Sequence, residues 1–322
     1  MKLHTTGTKI QNERGEEVLL RGVNCAGLEW DAGNGSVLRA ACLAADEWGA
    51  NIIRLPVSQD RWFGWCPEQK EPDGAERYRA LVDRIIRELA ERGCCLILDL
   101  HWNDRGDRAV RSGQQKMPDR NSVLFWRDAA ARYGDCGNVL FGLYNEPHDV
   151  DWSVWLDGGM VTEADGAVWE AAGMRTLLRA VRETGAENLC VLGGLDWGYT
   201  FKGFEDYDAL LEARGNIVFD SHVYPWKPLD WDADVGEAAS HCPVLIGECG
   251  HYGDDAKPRE GKQCLPAAEW TPRLLSWIDA HGYHLTAWDF HPQAGPCLIS
   301  DFDGTPTTWY GSLIRDYLKR GL

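Results

Sequence analysis

The sequence has little positive charge and no long hydrophobic run. Lys and Arg number 33 against 50 Asp and Glu, which gives a formal net charge of −17. A surface this acidic repels nucleic-acid phosphates and anionic lipid headgroups, so we expect neither nucleic acid nor membrane as a partner. No segment reaches the roughly 18 apolar residues that a membrane span needs, and residues 1–4 lead into a polar segment without the apolar core of a secretory leader. A neutral polymer remains a compatible partner.

Metal-binding spacing is also missing from the 11 cysteines, whose number is odd. They are scattered through apolar runs, and Cys94 and Cys95 are adjacent in one of them, where two buried thiols facing opposite ways are favoured over a bridge. We expect mostly reduced, structural cysteines, which gives slight preference to an intracellular setting. A secreted chain whose leader had been removed would look the same, so the compartment stays open.

Two acidic stretches invite a calcium interpretation. They contain Asp104 with Asp107, and Asp301 with Asp303. Neither stretch has oxygen ligands at the spacing of a calcium loop, so solvated turns are favoured there. We therefore expect neither a metal nor another cofactor.

Residues 139–147, Val-Leu-Phe-Gly-Leu-Tyr-Asn-Glu-Pro, are the stretch around which the chain is organised. A continuous apolar run is typical of a strand buried on both faces of a parallel sheet, and Pro147, which has no N–H, predicts that the strand ends there. Asn145 and Glu146 are thus left at its C-terminal mouth. A second run, Val-Leu-Ile-Gly-Glu at 244–248, places Glu248 in the same way. Two strand-end carboxyl groups are what cleavage of a glycosidic bond requires, one as acid/base and one as nucleophile.

Short apolar runs alternate with helical patterns along the chain, as in the βα units of a parallel sheet. The predicted strands are 19–24, 51–55, 94–100, 139–144, 188–192, 217–222, 244–247 and 284–289, and the predicted helices are 37–48, 75–92, 121–133, 167–184, 205–213, 231–241, 269–281 and 308–322. Eight such units close into a single (β/α)8 TIM barrel of the α/β class, whereas an open doubly wound sheet would carry fewer strands. Without a repeat or linker, residues 1–322 are expected to form one domain.

Two further features complete the predicted barrel. Residues 3–20 indicate a short N-terminal β-hairpin with its turn at 12–15, expected to cap one end. Three long polar loops, 103–120, 148–166 and 250–268, each follow a strand. They are therefore predicted to lie on the C-terminal face, where barrels carry their chemistry.

Polar side chains stand at the ends of most of the predicted strands. They are Arg54 after the second, His101 after the third, Asn145 and Glu146 after the fourth, His222 and Tyr224 after the sixth, Glu248 after the seventh and Trp288 after the eighth. Each residue alone has an ordinary structural explanation. Because parallel strands end on the same face of a barrel, the set is expected to converge there.

With these residues the chain resembles the cellulase-like enzymes of glycoside hydrolase family 5, within the larger clan of (β/α)8 retaining β-glycanases. The motifs are Arg-Gly-Val-Asn at 21–24, Ile-Arg-Leu-Pro at 53–56, Asp-Leu-His-Trp at 99–102, Tyr-Asn-Glu-Pro-His at 144–148, His-Val-Tyr at 222–224, Ile-Gly-Glu at 246–248 and Ala-Trp at 287–288. The resemblance covers nearly the whole chain in order. It implies an active site of one Arg, two His, one Asn, two Glu, one Tyr and one Trp, all of which are present, and the departures lie in the loops.

The resemblance and simple electrostatics suggest the same roles for the two glutamates. Glu146 would be the acid/base, because desolvation beside Pro147 and aromatic rings should raise its pKa and keep it protonated at neutral pH. Glu248 would be the nucleophile, held ionised by Arg54 and the hydroxyl of Tyr224. The alternative for either is a glutamate paired with a base for stability. We expect the two carboxyl groups about 5–5.5 Å apart.

The other residues would bind or orient the substrate. Asn145 would hydrogen-bond the sugar 2-hydroxyl, unless it only ends a strand in a turn. His101 and His222 would bind hydroxyls and orient the glutamates, or be satisfied core histidines. Arg54 could instead serve only as an interior ion pair. Trp288 would form the floor of the subsite where the bond breaks, or pack in the core.

The sequence also contains 16 Trp, whose flat rings suit sugar faces. Those in the predicted post-strand loops are Trp30, Trp62, Trp65, Trp102, Trp152, Trp155, Trp197 and Trp226. They could extend a cleft in both directions, and simple packing is an equal alternative for each.

Three functional hypotheses follow. The first is a retaining endo-β-1,4-glucanase that hydrolyses β-glucan by double displacement, acting as a monomer on a β-linked polysaccharide or oligosaccharide. The second is the same chemistry on β-mannan, xyloglucan or β-1,3-glucan, a choice that depends on loop residues. The third is a non-catalytic carbohydrate-binding barrel, which needs the tryptophans but neither glutamate. The exact sugar and linkage, endo versus exo action, transglycosylation and oligomeric state stay open.

Overall fold

The chain begins with a two-stranded antiparallel hairpin. In the computed structural model, which describes residues 2–30, 35–211, 215–253 and 264–320, strand β1 (Leu3–Thr6) pairs with β2 (Lys9–Asn12). The turn lies at Gly7, whose positive φ of 58° fits a two-residue hairpin loop. The turn of the hairpin therefore lies earlier in the chain than the predicted 12–15. A turn does form there, but it leads only to an isolated bridge between Gln11 and Glu17.

Eight parallel strands follow and close into a barrel, which confirms the predicted (β/α)8 fold. The barrel strands are β3 (Arg21–Asn24), β4 (Ile52–Ser58), β5 (Cys95–Trp102), β6 (Val139–Gly142), β9 (Cys190–Gly193), β10 (Ile217–Val223), β11 (Val244–Cys249) and β12 (His284–Ala287), while β7 (Gly158–Thr162) and β8 (Val168–Ala172) form a separate hairpin. Neighbouring barrel strands pair in chain order, and β12 pairs with β3. The C-terminal ends of all eight strands therefore open on one face.

Burial on both faces explains why the strands are continuously apolar. In β5, Cys95 and Ile97 belong to a cluster of buried residues inside the barrel, and Leu96 belongs to a second cluster beneath the helices. Leu3 and Ile10 of the N-terminal hairpin join the inner cluster. The hairpin thus closes the N-terminal end of the barrel, as predicted. The C-terminal end is not covered by it.

Most predicted helices are present, with shifted ends. Helices span Ser36–Trp48, Gln59–Phe63, Gly74–Glu91, Arg120–Tyr133, Trp152–Asp157, Met174–Arg182, Tyr207–Leu211, Trp231–Val235, Ala267–His281 and Gly311–Lys319, with 3₁₀ turns at Leu28–Trp30 and Ala238–Ser240. The predicted ends at 212–213 and 321–322 lie outside the described residues, as does 254–263 of the third long loop.

The predicted helix at 167–184 is wrong in its first part. Residues Val168–Ala172 form β8, which pairs antiparallel with β7, and the helix begins only at Met174. The strand alternates between exposed and buried side chains, with Trp169 and Ala171 buried, which is the two-residue period of a strand. The backbone of Ala172 also donates to the carbonyl of Pro118. The second long loop therefore carries a helix and a hairpin, and it contacts the first loop.

The cysteines behave as the sequence predicts. All 11 are free thiols. Cys94 packs beneath the helices and Cys95 inside the barrel, so the adjacent thiols face opposite ways. Within the described part of the chain, no helix has the length and apolar character to cross a membrane.

Two strand glycines provide a matched test of barrel packing. A Cβ at Gly22 would lie 1.7 Å from the carbonyl oxygen of Ile52, whereas a Cβ at Gly193 would first meet Pro147 at an ordinary 3.5 Å. We expect Gly22→Ala to lower the free energy of unfolding by about 3 kcal/mol, because two paired strands must separate, and Gly193→Ala by less than about 1 kcal/mol. Urea denaturation of both variants measures the difference. Equal losses would contradict this close approach of β3 and β4.

Candidate active site

The eight strand-end residues predicted from the sequence lie together at the C-terminal mouth of the barrel. Arg54, His101, His222 and Glu248 are in strands β4, β5, β10 and β11. Tyr224 and Trp288 directly follow β10 and β12, and Asn145 and Glu146 come three and four residues after β6. Beyond β6 the chain stays beside β5, since the backbone of Asn145 donates to the carbonyl of Leu100 at 3.0 Å. Glu146 is thereby held inside the mouth.

Arg54 is the centre of the hydrogen-bond network. Its side chain is 2% exposed, and its Nη1 donates to Glu248 Oε1 at 2.8 Å and to Asn24 Oδ1 at 2.9 Å. Its Nη2 donates to Asn145 Oδ1 at 2.7 Å and lies 3.0 Å from Asp99 Oδ1. Burial alone would lower the pKa of Arg54, but Asp99 and Glu248 raise it above its ordinary value. The cation is therefore permanent, and it orients the groups around it.

Glu248 has both carboxyl oxygens occupied. Oε1 accepts from Arg54, and Oε2 accepts the hydroxyl of Tyr224 at 2.7 Å. Burial and the charge of Glu248 raise the pKa of Tyr224 well above its ordinary value, so the tyrosine remains a donor. Both predicted partners of Glu248 are in place.

Glu146 contacts a different partner, His222. The Nδ1 of His222 lies 3.0 Å from Glu146 Oε1, and its Nε2 lies 3.3 Å from Asp220 Oδ2. Burial alone would lower the pKa of His222, but Glu248, Asp220 and Glu146 raise it to about 10. His222 therefore carries a proton on each ring nitrogen at neutral pH.

The structure contradicts the predicted pKa shift of Glu146. Burial does raise the pKa of its carboxyl, but the hydrogen bond and positive charge of His222 outweigh burial and lower the pKa below its ordinary value. Without substrate, the proton of the Glu146–His222 pair is therefore on the imidazole. Sequence reasoning considered the apolar surroundings and missed the histidine that sits against the carboxyl.

The two carboxyl groups are close to each other. One oxygen of Glu146, one oxygen of Glu248 and a ring nitrogen of His222 all lie within 4.8 Å of one another. Carboxyl oxygens this close suit a retaining mechanism, whereas an inverting pair stands roughly 6.5–9.5 Å apart. The three side chains could in principle hold a metal ion. Arg54 and Tyr224 already occupy Glu248, however, and protonated His222 has no lone pair to offer, so the site does not suit a cation.

Trp288 and His101 form one wall of the mouth. Their rings stack at 5.7 Å with an interplanar angle of 15°. The Nε1 of Trp288 donates to the carbonyl of Gly295, and the Nδ1 of His101 contacts Asp99 at 2.7 Å. The tryptophan ring is half-buried rather than part of the core.

Sequence reasoning missed the carboxylates behind the two histidines. Asp99 is two residues before His101, and Asp220 is two residues before His222. Residues two apart on a strand share a face, so each pair forms a carboxylate–imidazole contact, and the repeated Asp-x-His spacing could have revealed both. Asp220 also accepts from the backbone of Gly247 at 2.7 Å, which ties β10 to the position of Glu248.

Among the eight loop tryptophans named from the sequence, two are strongly exposed and two are fully buried. Trp62 and Trp155 are fully buried in the core. Trp30 is 46% exposed and tilts against His291, and Trp197 is 42% exposed and stacks on His148 at 3.6 Å. The other four, Trp65, Trp102, Trp152 and Trp226, are partly exposed, so only Trp62 and Trp155 of the eight have no ring surface to offer to a sugar.

Trp197 is presented by an unusual turn beside Glu146. Asp196, Trp197 and Gly198 all have left-handed φ values, of 54°, 63° and 70°. Lys227 supports the turn by donating to the carbonyl of Asp196 at 2.6 Å. A Cβ at Gly198 would lie 3.2 Å from the ring of His222, so only glycine fits easily there.

The prediction of solvated turns is confirmed for the stretch at Asp301 and is wrong for the stretch at Asp104. Asp301 accepts from the backbones of Asp303 and Thr305 in an exposed turn. Asp104 is buried, where it accepts from Gln59 at 2.8 Å and from Asn121 at 3.0 Å. Amide donors facing its carboxylate fit a packed polar cluster and do not suit a metal site.

Comparison with known proteins agrees with this geometry. Residues 11–294 match the profile of the family described as Cellulase (glycosyl hydrolase family 5). An endoglucanase of Paenibacillus polymyxa is 25% identical over 95% of this chain and 83% of its own length, and endoglucanase E-5 of Thermobifida fusca is 29% identical over 98% of this chain and 61% of its length. A β-glucanase of Saccharophagus degradans has a similar fold, with a TM-score of 0.77, 22% identity, and coverage of 99% of this chain and 93% of that one.

The protonation of His222 can be observed directly. We expect its side-chain ¹⁵N shifts to be those of an imidazolium at pH 7 and to change only near pH 10. The pKa of His222 lies above the ordinary value of 6.5. The charge of His222 therefore contributes fully to the free energy of unfolding below pH 6.5, and this contribution disappears as the pH rises toward 10. His222→Gln assigns the signal. His148, whose pKa burial lowers, should be neutral at pH 7 in the same spectra. A His222 titration near pH 6.5 would refute the assignment.

Proposed function

The chain belongs to glycosyl hydrolase family 5, and we propose that it is a retaining endo-β-1,4-glucanase that cleaves β-glucan by double displacement. One observation carries the proposal. Two carboxyl groups lie within 4.8 Å, one bound by Arg54 and Tyr224 and the other by His222. The site thus contains Glu248 as the nucleophile and Glu146 as a carboxyl that can receive a proton from His222.

In the first step, Glu248 acts as the nucleophile. A carboxylate oxygen bonds to the anomeric carbon, the bond to the leaving oxygen breaks, and that oxygen takes a proton from Glu146. Glu146 receives this proton from His222, with which it shares a 3.0 Å hydrogen bond. A bound sugar covers the remaining 19% exposure of the Glu146 side chain and so raises its pKa, which favours the transfer.

In the second step, water releases the sugar from Glu248. Glu146, now a base, removes a proton from the water, whose oxygen bonds to the anomeric carbon while the ester bond breaks. The hydroxyl of Tyr224 and the cation of Arg54 stabilise the departing carboxylate. Asn145 donates to the sugar 2-hydroxyl, and Trp288 supports the ring in this subsite.

The relatives support β-1,4-glucan as the substrate. They include endoglucanases, and the β-glucanase of Saccharophagus degradans has been solved with cellotetraose. Trp30 and Trp197, both exposed at the rim, could bind further glucose units. We also propose that residues 1–322 act as one catalytic domain, because one closed barrel carries all eight site residues, and that the protein acts as a monomer.

Substitution of each glutamate tests the mechanism. Glu248→Gln and Glu146→Gln should each lower kcat/KM on a soluble β-glucan by at least about 1,000-fold, since each removes a group that forms or protonates a bond. On an aryl cellobioside with a very acidic phenol, Glu146→Gln should lose far less, because that leaving group needs no proton. Glu183→Gln, at an exposed position directly after the helix Met174–Arg182, is the control. Near-wild-type hydrolysis by either active-site variant would disprove the roles.

Product analysis tests stereochemistry and substrate. Proton NMR of an early time point should show the β-anomer first, as retention requires. On a panel of carboxymethyl cellulose, β-mannan, xyloglucan and β-1,3-glucan, we expect highest activity on the cellulose derivative, with oligosaccharides of mixed length. Strong mannan hydrolysis with none on glucan would replace the substrate proposed here. Binding without turnover at any pH would indicate a non-catalytic barrel.

A further inference from the structure

Gln114 lies in the loop between β5 and the helix that begins at Arg120, and its side chain reaches into the site. Its Oε1 accepts from Asn145 Nδ2 at 2.7 Å. Its Nε2 donates to two backbone carbonyls, those of Gln115 and Glu146, both at 3.1 Å. The amide is therefore held on both sides, by the backbone next to the proposed acid/base and by the side chain of Asn145.

The backbone around Gln114 is fixed as well. Gly113 exchanges two hydrogen bonds of 3.0 Å with Asn103. On the other side, the hydroxyl of Tyr144 donates to the carbonyl of Gln115 at 2.7 Å and accepts from its N–H at 3.2 Å. Both neighbours of Gln114 are thus pinned to the barrel. The position of the Gln114 side chain is a consequence of this support rather than of a free loop.

The hydrogen bonds leave each amide only one orientation. A reversed Gln114 would point its oxygen at two carbonyl oxygens, so the carbonyls determine which way it faces. Gln114 then presents an acceptor to Asn145, which must answer with its nitrogen. On the other side Arg54, which has only donors, faces the oxygen of Asn145, which accepts from it at 2.7 Å, so Gln114 and Arg54 favour the same orientation of this amide.

This arrangement determines what Asn145 can offer to a ligand. One hydrogen of Nδ2 is donated to Gln114. The other faces the mouth, where the nearest group is His101 Nε2 at the long distance of 3.4 Å. A hydroxyl that accepts a hydrogen bond could take this second N–H. If Asn145 were reversed, the same hydroxyl would meet an oxygen.

We propose that Gln114 is a positioning residue that fixes the amide of Asn145 so that an N–H faces the sugar 2-hydroxyl. The inference rests on the proposed function and deepens it. It adds a residue of the loop between β5 and the helix at Arg120 to the groups that recognise the sugar at the scissile bond. Gln114 itself does not touch the sugar. Its effect should therefore appear only through the 2-hydroxyl.

The test compares two substrates that differ in that hydroxyl. One is an aryl β-cellobioside, and the other is its analogue without the 2-hydroxyl on the ring beside the scissile bond. Gln114→Met keeps the size of the side chain and removes its hydrogen bonds. We expect kcat/KM to fall by about tenfold to a hundredfold on the normal substrate and by less than about threefold on the analogue.

Gln115→Met is the matched control, since it alters the neighbouring side chain, whose Oε1 accepts from Arg105 at 2.6 Å. If Gln115→Met changes activity, it should change kcat/KM by the same factor on both substrates. A cycle with Asn145→Ala adds a second readout: once Asn145 is absent, adding Gln114→Met should change kcat/KM by less than about twofold. If Gln114→Met does not fold, Gln114→Leu also removes the acceptor for Asn145 and both donors, and it should show the same loss of selectivity.

The outcomes separate the two proposals. Equal losses on both substrates, or additive effects in the cycle, would overturn the role of Gln114 while leaving the hydrolase intact. A wild-type enzyme that hydrolyses the normal substrate without preferring the 2-hydroxyl would also overturn it. Failure of the wild-type chain to cleave any β-glucoside would refute the proposed function itself.

Discussion

The buried guanidinium of Arg54 is the interaction on which the rest of the mouth depends. Its terminal nitrogens contact Glu248, Asp99, Asn145 and Asn24, which come from four different parts of the barrel. A cation with 2% exposure is stable only when its charge is compensated and its donors are used. One side chain therefore ties the proposed nucleophile, the amide beside the acid/base and the Asp99–His101 pair into a single rigid arrangement, and catalytic geometry of this kind needs such support.

Most of the barrel and the eight mouth residues could be predicted because their signals are local. Continuous apolar runs identify strands that are buried on both faces, and a polar residue at the end of such a run must lie at the rim. The strand at Val168–Ala172 was missed because its composition also suits a helix, and only pairing with β7 decides between them. Gln114 could not be found either, since its importance comes from two backbone carbonyls and Asn145, none of which a loop sequence reveals.

The position of the proton shared by Glu146 and His222 also could not be predicted from the sequence. Sequence reasoning considered how burial acts on Glu146 alone, and burial does raise the pKa of that carboxyl. In the folded chain His222 is surrounded by Glu146, Asp220 and Glu248, and these acids hold the proton on the imidazole. The acid/base unit is thus better described as a carboxyl and an imidazole that share one proton. Its charge state is decided by residues far apart in sequence.

The left-handed turn beside Glu146 limits how this enzyme could be re-engineered for new acceptor molecules. At Gly198 any added side chain would press on the His222 ring, so a mutant library should keep that position constant even though an exposed tryptophan is next to it. Trp197 can be randomised, but its φ of 63° favours Asn, Asp and Gly over branched residues. A mutant library for this rim should therefore vary Trp30 on the opposite wall, where no left-handed φ limits the choice of residue.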